Sequence, residues 1–211
     1  LSPEEQKYIT GVQANLWTEY IPTLAQAQYM VLPRMAALCE TQWSAPEKKK
    51  DYQGFLKRAA RLTKIYQLKG WNYATHIFDV NVNIVPNSET GKLDVSATTI
   101  DEAPIYYTLD GTEPTASSTK FEGNLSIDAA CVLRMMAVRP EGNSRVTLDS
   151  ISFSKSTAKP ITMLQPINKP YEFKGAVTLV DGMTGNRNYK TGRWIAFYKN
   201  DMEAVIDLKE A

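Results

Sequence analysis

Histidine is nearly absent from this sequence. His76 is the single histidine in 211 residues, so neither a Ser-His-Asp relay nor a histidine-based zinc site can be assembled without residues from elsewhere. Cysteine is almost as scarce. Cys39 and Cys131 each sit among apolar neighbours, which reads as two free, buried thiols, with a disulfide between them as the alternative. No cluster of metal-ligand residue types is visible, and no cofactor is implied. No apolar run approaches the ~20 residues that cross a bilayer. Charge of one sign is missing too: 24 basic residues face 23 acidic ones, for a net charge of +1. The basic run Lys48-Lys49-Lys50 beside Pro46 reads as a solvated loop rather than a nucleic-acid site. No signal peptide opens the chain. Leu1-Ser2-Pro3-Glu4-Glu5 is polar and reads as the interior of a longer protein.

What is present is an ordinary globular composition, 43% hydrophobic and 22% charged, with length for one or two domains at roughly 100–200 residues each. Three regions are expected: 1–76, 77–159 and 160–211. In the first, Tyr8–Trp17 is a short apolar run that predicts one buried strand. Tyr29, Leu32, Ala36, Cys39 and Trp43 then recur at helical spacing, with Pro33 predicting a kink or a new start. Phe55, Ala59, Leu62 and Tyr66 form the stripe of a second helix, and Gly70 is placed to stop it. One strand and two helices make no core, so this region is expected to pack against something else or to be the last βα unit of a larger α/β domain.

In the second region the period changes to two. Phe78, Val80, Val82 and Ile84 alternate with polar residues. Further strands are predicted at Lys92–Ala97, Ile105–Leu109, Val132–Arg139 and Val146–Ser154, separated by turn signals, and the spacing reads as a β-sandwich. The third region opens with Pro160, Pro166 and Pro170, a linker signature. Strands are predicted there at Ala176–Val180, Trp194–Tyr198 and Ala204–Leu208. Some 50 residues is small for a free-standing sandwich, so this domain is expected to be cut short.

Asn15-Leu16-Trp17-Thr18-Glu19-Tyr20 is the best candidate for chemistry. It stands where a buried strand gives way to a loop, the side of an α/β barrel that carries active sites. An indole face suits a sugar ring and a carboxylate accepts hydroxyl hydrogen bonds. From spacing alone, Trp17 as core and Glu19 as a plain surface charge remains the alternative.

Gly11–Glu19, followed by Tyr29–Ser44, resembles the last strand and helix of the family 20 glycoside hydrolase barrel, the β-N-acetylhexosaminidases. That resemblance implies substrate-binding roles for Trp17, lining the pocket of the terminal sugar, and for Glu19, accepting from its O4 and O6 hydroxyls. It implies that Arg34, Glu40 and Trp43 brace the barrel. The implied reaction removes terminal β-linked N-acetylglucosamine or N-acetylgalactosamine from glycans. The substrate's acetamido oxygen attacks the anomeric carbon, an Asp orients it, and an adjacent Glu protonates the leaving oxygen.

The sequence has one Asp-Glu dipeptide, Asp101-Glu102, followed by Ala103-Pro104. This reads as a turn. No catalytic residue is therefore assigned, and the N-terminal part of the barrel is expected outside this chain. Tyr106–Thr115 resembles the small sandwich appended to chitobiases and hexosaminidases. Residues from Leu179 onward resemble the start of a galactose-binding-like jelly roll, in which Asp181 stands as a possible calcium ligand or simply a turn residue.

The fold expected is thus multidomain α+β: the C-terminal βα segment of a (β/α)8 barrel, an immunoglobulin-like β-sandwich and a partial β jelly roll. Partners are N-acetylhexosamine-containing glycans and the missing barrel part, with neither nucleic acid nor a membrane span. Family resemblance alone implies a periplasmic or extracellular location. A non-catalytic carbohydrate-binding or scaffold module is the rival reading. Asn124-Leu125-Ser126 matches a glycosylation sequon, a pattern too common to argue from.

Overall fold

The computed structural model describes residues 1–45, 47, 51–188 and 193–209. The Lys48–Lys50 run and Gly192, which stands in the jelly-roll signature, lie outside the described residues. The chain forms two compact units, Leu1–Phe78 and Asp79–Ala211.

The first unit is helical. α1 (Pro3–Gln6) is a single turn held by a reciprocal cap, in which Ser2 Oγ accepts from Glu5 N and Ser2 N donates to Glu5 Oε2 at 2.7 Å. α2 (Leu24–Val31) starts on Thr23, whose hydroxyl accepts from Gln26 N. α3 (Arg34–Trp43) follows at once. Pro33 separates the two helices, because a residue without an N–H cannot continue the ladder. Arg34 spans the break: its guanidinium donates to the carbonyls of Tyr29 and Met30 at 2.8 and 2.9 Å, satisfying acceptors that the end of α2 leaves open.

α4 (Tyr52–Leu68) begins on Asp51, which accepts from Gly54 N at 2.8 Å. Its predicted stripe is present. Ala59, Thr63 and Tyr66 are buried, with Phe55 and Leu62 half-buried beside them, while Lys57, Arg58, Arg61 and Lys64 face solvent. Gly70 ends the helix at φ 65°. The following residues fold back over the helices. Trp71 stacks on Tyr66, with Tyr73 tilted against the same ring. Asn72 bridges to α2, donating from N to Gln28 Oε1 and from Nδ2 to Ala25 O. Ala74 N donates to Leu32 O at 2.9 Å. Arg58 on α4 pairs with Glu40 on α3.

Three expectations for this unit need correction. Tyr8–Trp17 forms no strand; the segment is irregular and exposed. A strand exists only through a neighbour's ladder, and none of the described residues supplies one. Cys39 is free but exposed rather than buried, because its side of α3 is left uncovered. Trp43, expected to brace a barrel, is 87% exposed in this unit, while Arg34 and Glu40 make the contacts above.

The second unit is a β-sandwich. One sheet has the order β1-β2-β5, from Asn81–Asn87, Lys92–Thr98 and Leu125–Ile127. The other has the order β4-β3-β6-β7, from Thr119–Lys120, Ile105–Thr108, Cys131–Ala137 and Thr147–Ile151. All pairings are antiparallel. Alternation along the strands sends Ile84, Leu93 and Val95 from one sheet against Ile105, Leu133 and Met135 from the other, in one continuous core. Pro86 is tolerated inside β1 because β1 is an edge strand.

The region from 160 onward differs from its predicted strands. Within the proline-rich entry, Ile161–Met163 is a strand, β8, paired antiparallel with β9, Ala204–Ile206. Gly175–Leu179 is a 3-10 turn and Trp194–Tyr198 carries no strand. Among the described residues neither segment joins a ladder, although Asn168 N donates to Ala196 O at 2.8 Å. Val180–Met183 instead lies along the free edge of β7. Met183 makes an antiparallel bridge with Ile151, Ser152 N donates to Gly182 O at 2.8 Å, and Ala158 N donates to Val180 O at 2.8 Å. The edge is thereby covered rather than left as a template for further strands. Lys174 Nζ donates to Ile84 O at 2.9 Å, Arg193 pairs with Asp149, and Lys209 Nζ donates to Ser88 O at 2.6 Å.

Gly182 is the tightest point of this docking. It sits at φ 71°, and a Cβ there would lie 2.5 Å from the Ser152 carbonyl oxygen. Gly182→Ala combines left-handed strain with that clash, so it is expected to destabilise the second unit by about 2 kcal/mol. Urea unfolding followed by circular dichroism checks this; an unchanged midpoint would mean that the edge contact carries no stability.

Candidate functional site

Trp17 and Glu19 lie between α1 and α2, on a stretch whose backbone makes few bonds of its own. Ile21 N donates to Thr18 O at 3.0 Å, which closes a turn around Glu19 and Tyr20. The remaining described links are made by side chains. Gln42, in the last turn of α3, donates from Nε2 to Val12 O at 2.8 Å. Gln26, in the first turn of α2, donates from Nε2 to Tyr20 O at 3.3 Å. Trp17 is 75% exposed and Glu19 is exposed beside it. An exposed indole and an exposed carboxylate two residues apart offer an apolar face and a hydrogen-bond acceptor, which together fit a polar ring with hydroxyls. Neither glutamine stood out in the sequence, since an amide has no spacing signature of its own.

Asp101 and Glu102 are turn residues, as read from the sequence. Glu102 sits at φ 58°. Asp101 is held by both nitrogens of one face of Arg139, from Nε and Nη2, each at 2.7 Å. These hydrogen bonds hold its carboxyl below the ordinary range, outweighing the opposing effect of burial. The bidentate pair ties this turn to Arg139. Asp110 does related work in the next turn. Its Oδ1 accepts from Thr112 N at 2.9 Å and Thr112 Oγ1 at 2.6 Å, again lowering its pKa, while Gly111 supplies φ 80°.

Asp181 is 2% exposed, and burial pushes its carboxyl up. It accepts from Met183 N at 2.9 Å, which shapes the turn that Gly182 completes. Among the described residues no three His, Cys, Asp or Glu side chains come together as a metal site. His76 Nε2 lies 3.4 Å from Tyr29 Oη, within the helical unit.

Residues 1–46 match the family described as "Glycosyl hydrolase family 20, catalytic domain", and residues 86–148 match "Chitobiase/beta-hexosaminidase C-terminal domain". The chain is similar to a beta-hexosaminidase of Porphyromonas gingivalis, at 30% identity over 76% of this chain and 21% of that protein. It is also similar to a beta-N-acetylhexosaminidase of Cellulomonas fimi, at 34% identity over 31% of this chain and 13% of the relative. A third similarity is to beta-hexosaminidase B of Pseudoalteromonas piscicida, at 44% identity over 20% of this chain and 6% of the relative. The chain thus spans about a fifth or less of the length of these relatives. The exposed Trp17–Glu19 stretch falls within the first family match, and the Asp101 and Asp110 turns fall within the second.

The lowered carboxyl of Asp101 makes a pH-dependent contribution to stability. Its ionic bond is fully present above the unfolded carboxyl range of ~3.9 and is lost as pH falls through the lower folded value. Asp101→Asn is expected to destabilise the sandwich by about 1 kcal/mol at pH 7, a modest figure because the pair is partly open to water. In urea titrations at pH 7 and pH 3 the gap between variant and parent should narrow at the lower pH. A gap of equal size at both values would show that the pair is not the source.

Proposed function

We propose that this chain, which carries part of a family 20 glycosyl hydrolase catalytic domain followed by a chitobiase/beta-hexosaminidase C-terminal domain, is the C-terminal part of an exo-acting β-N-acetylhexosaminidase. The observation that carries the reading is the Trp17–Thr18–Glu19 stretch: it lies inside the catalytic-domain match, and both of its chemistry-bearing side chains are open to solvent. In this reading Trp17 packs against the apolar face of the terminal sugar. Glu19 accepts from its O4 and O6 hydroxyls, charge-assisted bonds that also select for a free non-reducing end.

The reaction is hydrolysis of terminal β-linked N-acetylglucosamine or N-acetylgalactosamine with help from the substrate itself. The acetamido oxygen forms a bond to the anomeric carbon as the glycosidic bond breaks. An upstream Glu donates its proton to the leaving oxygen, while the Asp before it orients the acetamide. That pair belongs to a barrel strand outside this chain. Asp101-Glu102, the one Asp-Glu dipeptide here, has its Asp committed to Arg139. The chain alone is therefore inactive in this reading, and its pocket is half of a site whose other half lies upstream. In this reading the chain has a barrel segment at 1–76, a sandwich at 77–159 and a jelly-roll-like region at 160–211, the last two within one compact unit. A periplasmic or extracellular setting fits an enzyme that trims glycans. The second reading, a carbohydrate-binding module without turnover, is favoured only by the exposure of Trp17 in this chain.

Release of nitrophenol from the β-N-acetylglucosaminide, beside calorimetric titration with N-acetylglucosamine, separates the readings. The isolated chain is expected to give neither turnover nor tight binding. A longer polypeptide that includes the upstream barrel is expected to turn over, and Glu19→Gln in it should lower kcat/KM by roughly 10- to 100-fold through loss of charge-assisted bonds to the sugar. Turnover by the isolated chain would return Asp101 and Glu102 to consideration and overturn the assignment. Tight binding without turnover would favour the module.

A further inference from the structure

We infer that residues 174–183 are a closing wedge of the β-sandwich, so that the sandwich and the region from 160 onward fold as one cooperative body rather than as two domains on a proline-rich linker. The inference goes beyond the functional reading and does not depend on what Trp17 and Glu19 bind. It starts from the two sheets. β1 and β7 are edge strands, one in each sheet, and an edge leaves both backbone groups and the flank of the core open. The segment 174–183 bonds to both. Lys174 Nζ donates to Asn83 Oδ1 at 3.1 Å and to Ile84 O at 2.9 Å, both on β1. Met183 bridges to Ile151 on β7, and Gly182 O accepts from Ser152 N at 2.8 Å and from Ser152 Oγ at 3.0 Å.

Burial separates a wedge from a surface strap. Val180 and Asp181 are each 2% exposed, the same as Val95 in the middle of β2. Ala158, which donates to Val180 O, belongs to the same core as Leu93 and Met135, and Met183 packs against that core. Gly182 lies close to both sheets. A Cβ placed there would stand 2.5 Å from Ser152 O, just past β7, and 3.4 Å from Leu93 Cδ1 on β2. Further along, Arg193 pairs with Asp149 on β7, and Lys209 Nζ donates to Ser88 O beyond the end of β1. A flexible linker makes no such contacts, because its freedom comes from a solvated backbone. Withdrawing the wedge would open Ala158 and the flank of the core to water, which burial opposes. Opening of the wedge and opening of the sandwich are therefore one event. The region from 160 onward does not swing on its prolines, and a ligand bound there is held at a fixed place on the sandwich.

Urea-dependent hydrogen exchange of the intact chain tests this. Ser152 and Ala158 report on the wedge, because their amides donate to Gly182 O and Val180 O. Phe121 and Val132 report on the sandwich, because their amides donate to Ile105 O and Leu109 O. All four are expected to exchange within about tenfold of one another and with a common urea slope. A wedge pair faster than the sandwich pair by more than that margin overturns the inference.

Two variants sharpen the comparison. Lys174→Met keeps the stem and removes the N–H donors, and is expected to speed all four amides by about fivefold. Gly182→Ala is expected to speed all four by about 30-fold. Acceleration of Ser152 and Ala158 alone overturns the inference, because the wedge then opens while the sandwich stays shut. If Gly182→Ala does not fold, Lys174→Met still makes the distinction. A longer polypeptide, extended at both ends, is followed on peptides by mass spectrometry. Segments 152–158 and 121–132 are expected to be equally protected there. Loss of protection at 152–158 alone overturns the inference, by showing that the wedge belongs only to the shorter chain.

Discussion

The second unit depends on apolar residues from two sheets meeting face to face. Leu93 and Met135 are completely removed from solvent, and Val95 and Leu133 nearly so. Each strand alone would expose one row of these side chains. Two sheets bury both rows at once, and a side chain of this size withdrawn from water contributes about 1.5–3 kcal/mol. The polar turns serve that core. Asp110 with Thr112, and Asp101 with Arg139, hold the strand ends so that alternation stays in register. The strap at Val180–Met183 solves the remaining problem, the open edge of β7, by bonding to it, with Met183 packed against the core.

The first unit rests on a weaker arrangement. Its helices have a modest shared interior, centred on Ala59 and Tyr66, and much of its cohesion is polar: Arg34 across the Pro33 break, Asn72 to α2, and Glu40 to Arg58. Large apolar side chains such as Trp43 and Met35 stay exposed. The consequence reaches the candidate site directly. Trp17 and Glu19 are carried on a stretch without regular structure in this chain, and Gln42 and Gln26 donate to the Val12 and Tyr20 carbonyls on either side of it.

The sandwich was largely legible. A period of two at Val80, Val82 and Ile84 and the Asp110-Gly111 turn are local signals, and the strands form where those signals place them, to within a few residues. The stripe Phe55, Ala59, Leu62 and Tyr66 was equally legible, because helical amphipathicity is also local. The Tyr8–Trp17 strand was not. Its apolar run is compatible with a strand, but a strand is a relation between two segments and the partner cannot be read from one of them. The same reason separates the predicted strand at Ala176–Val180 from the 3-10 turn that forms, and the exposed Cys39 from the buried thiol expected.

By itself, then, the sequence determined what depends on neighbours in the chain: helix periodicity and caps, strand alternation, and the turns at Asp110 and Gly111. It also determined that Asp101 belongs to a turn. Tertiary structure alone decided the pairings between distant residues. Arg139 became the partner of Asp101, Arg193 that of Asp149, Gly182 the cover of the β7 edge, and Gln26 and Gln42 the partners of the Tyr20 and Val12 carbonyls. These contacts join residues that share no local pattern. Their partners are chosen by which surfaces the packed elements bring within hydrogen-bond reach, and that choice exists only once the chain has folded.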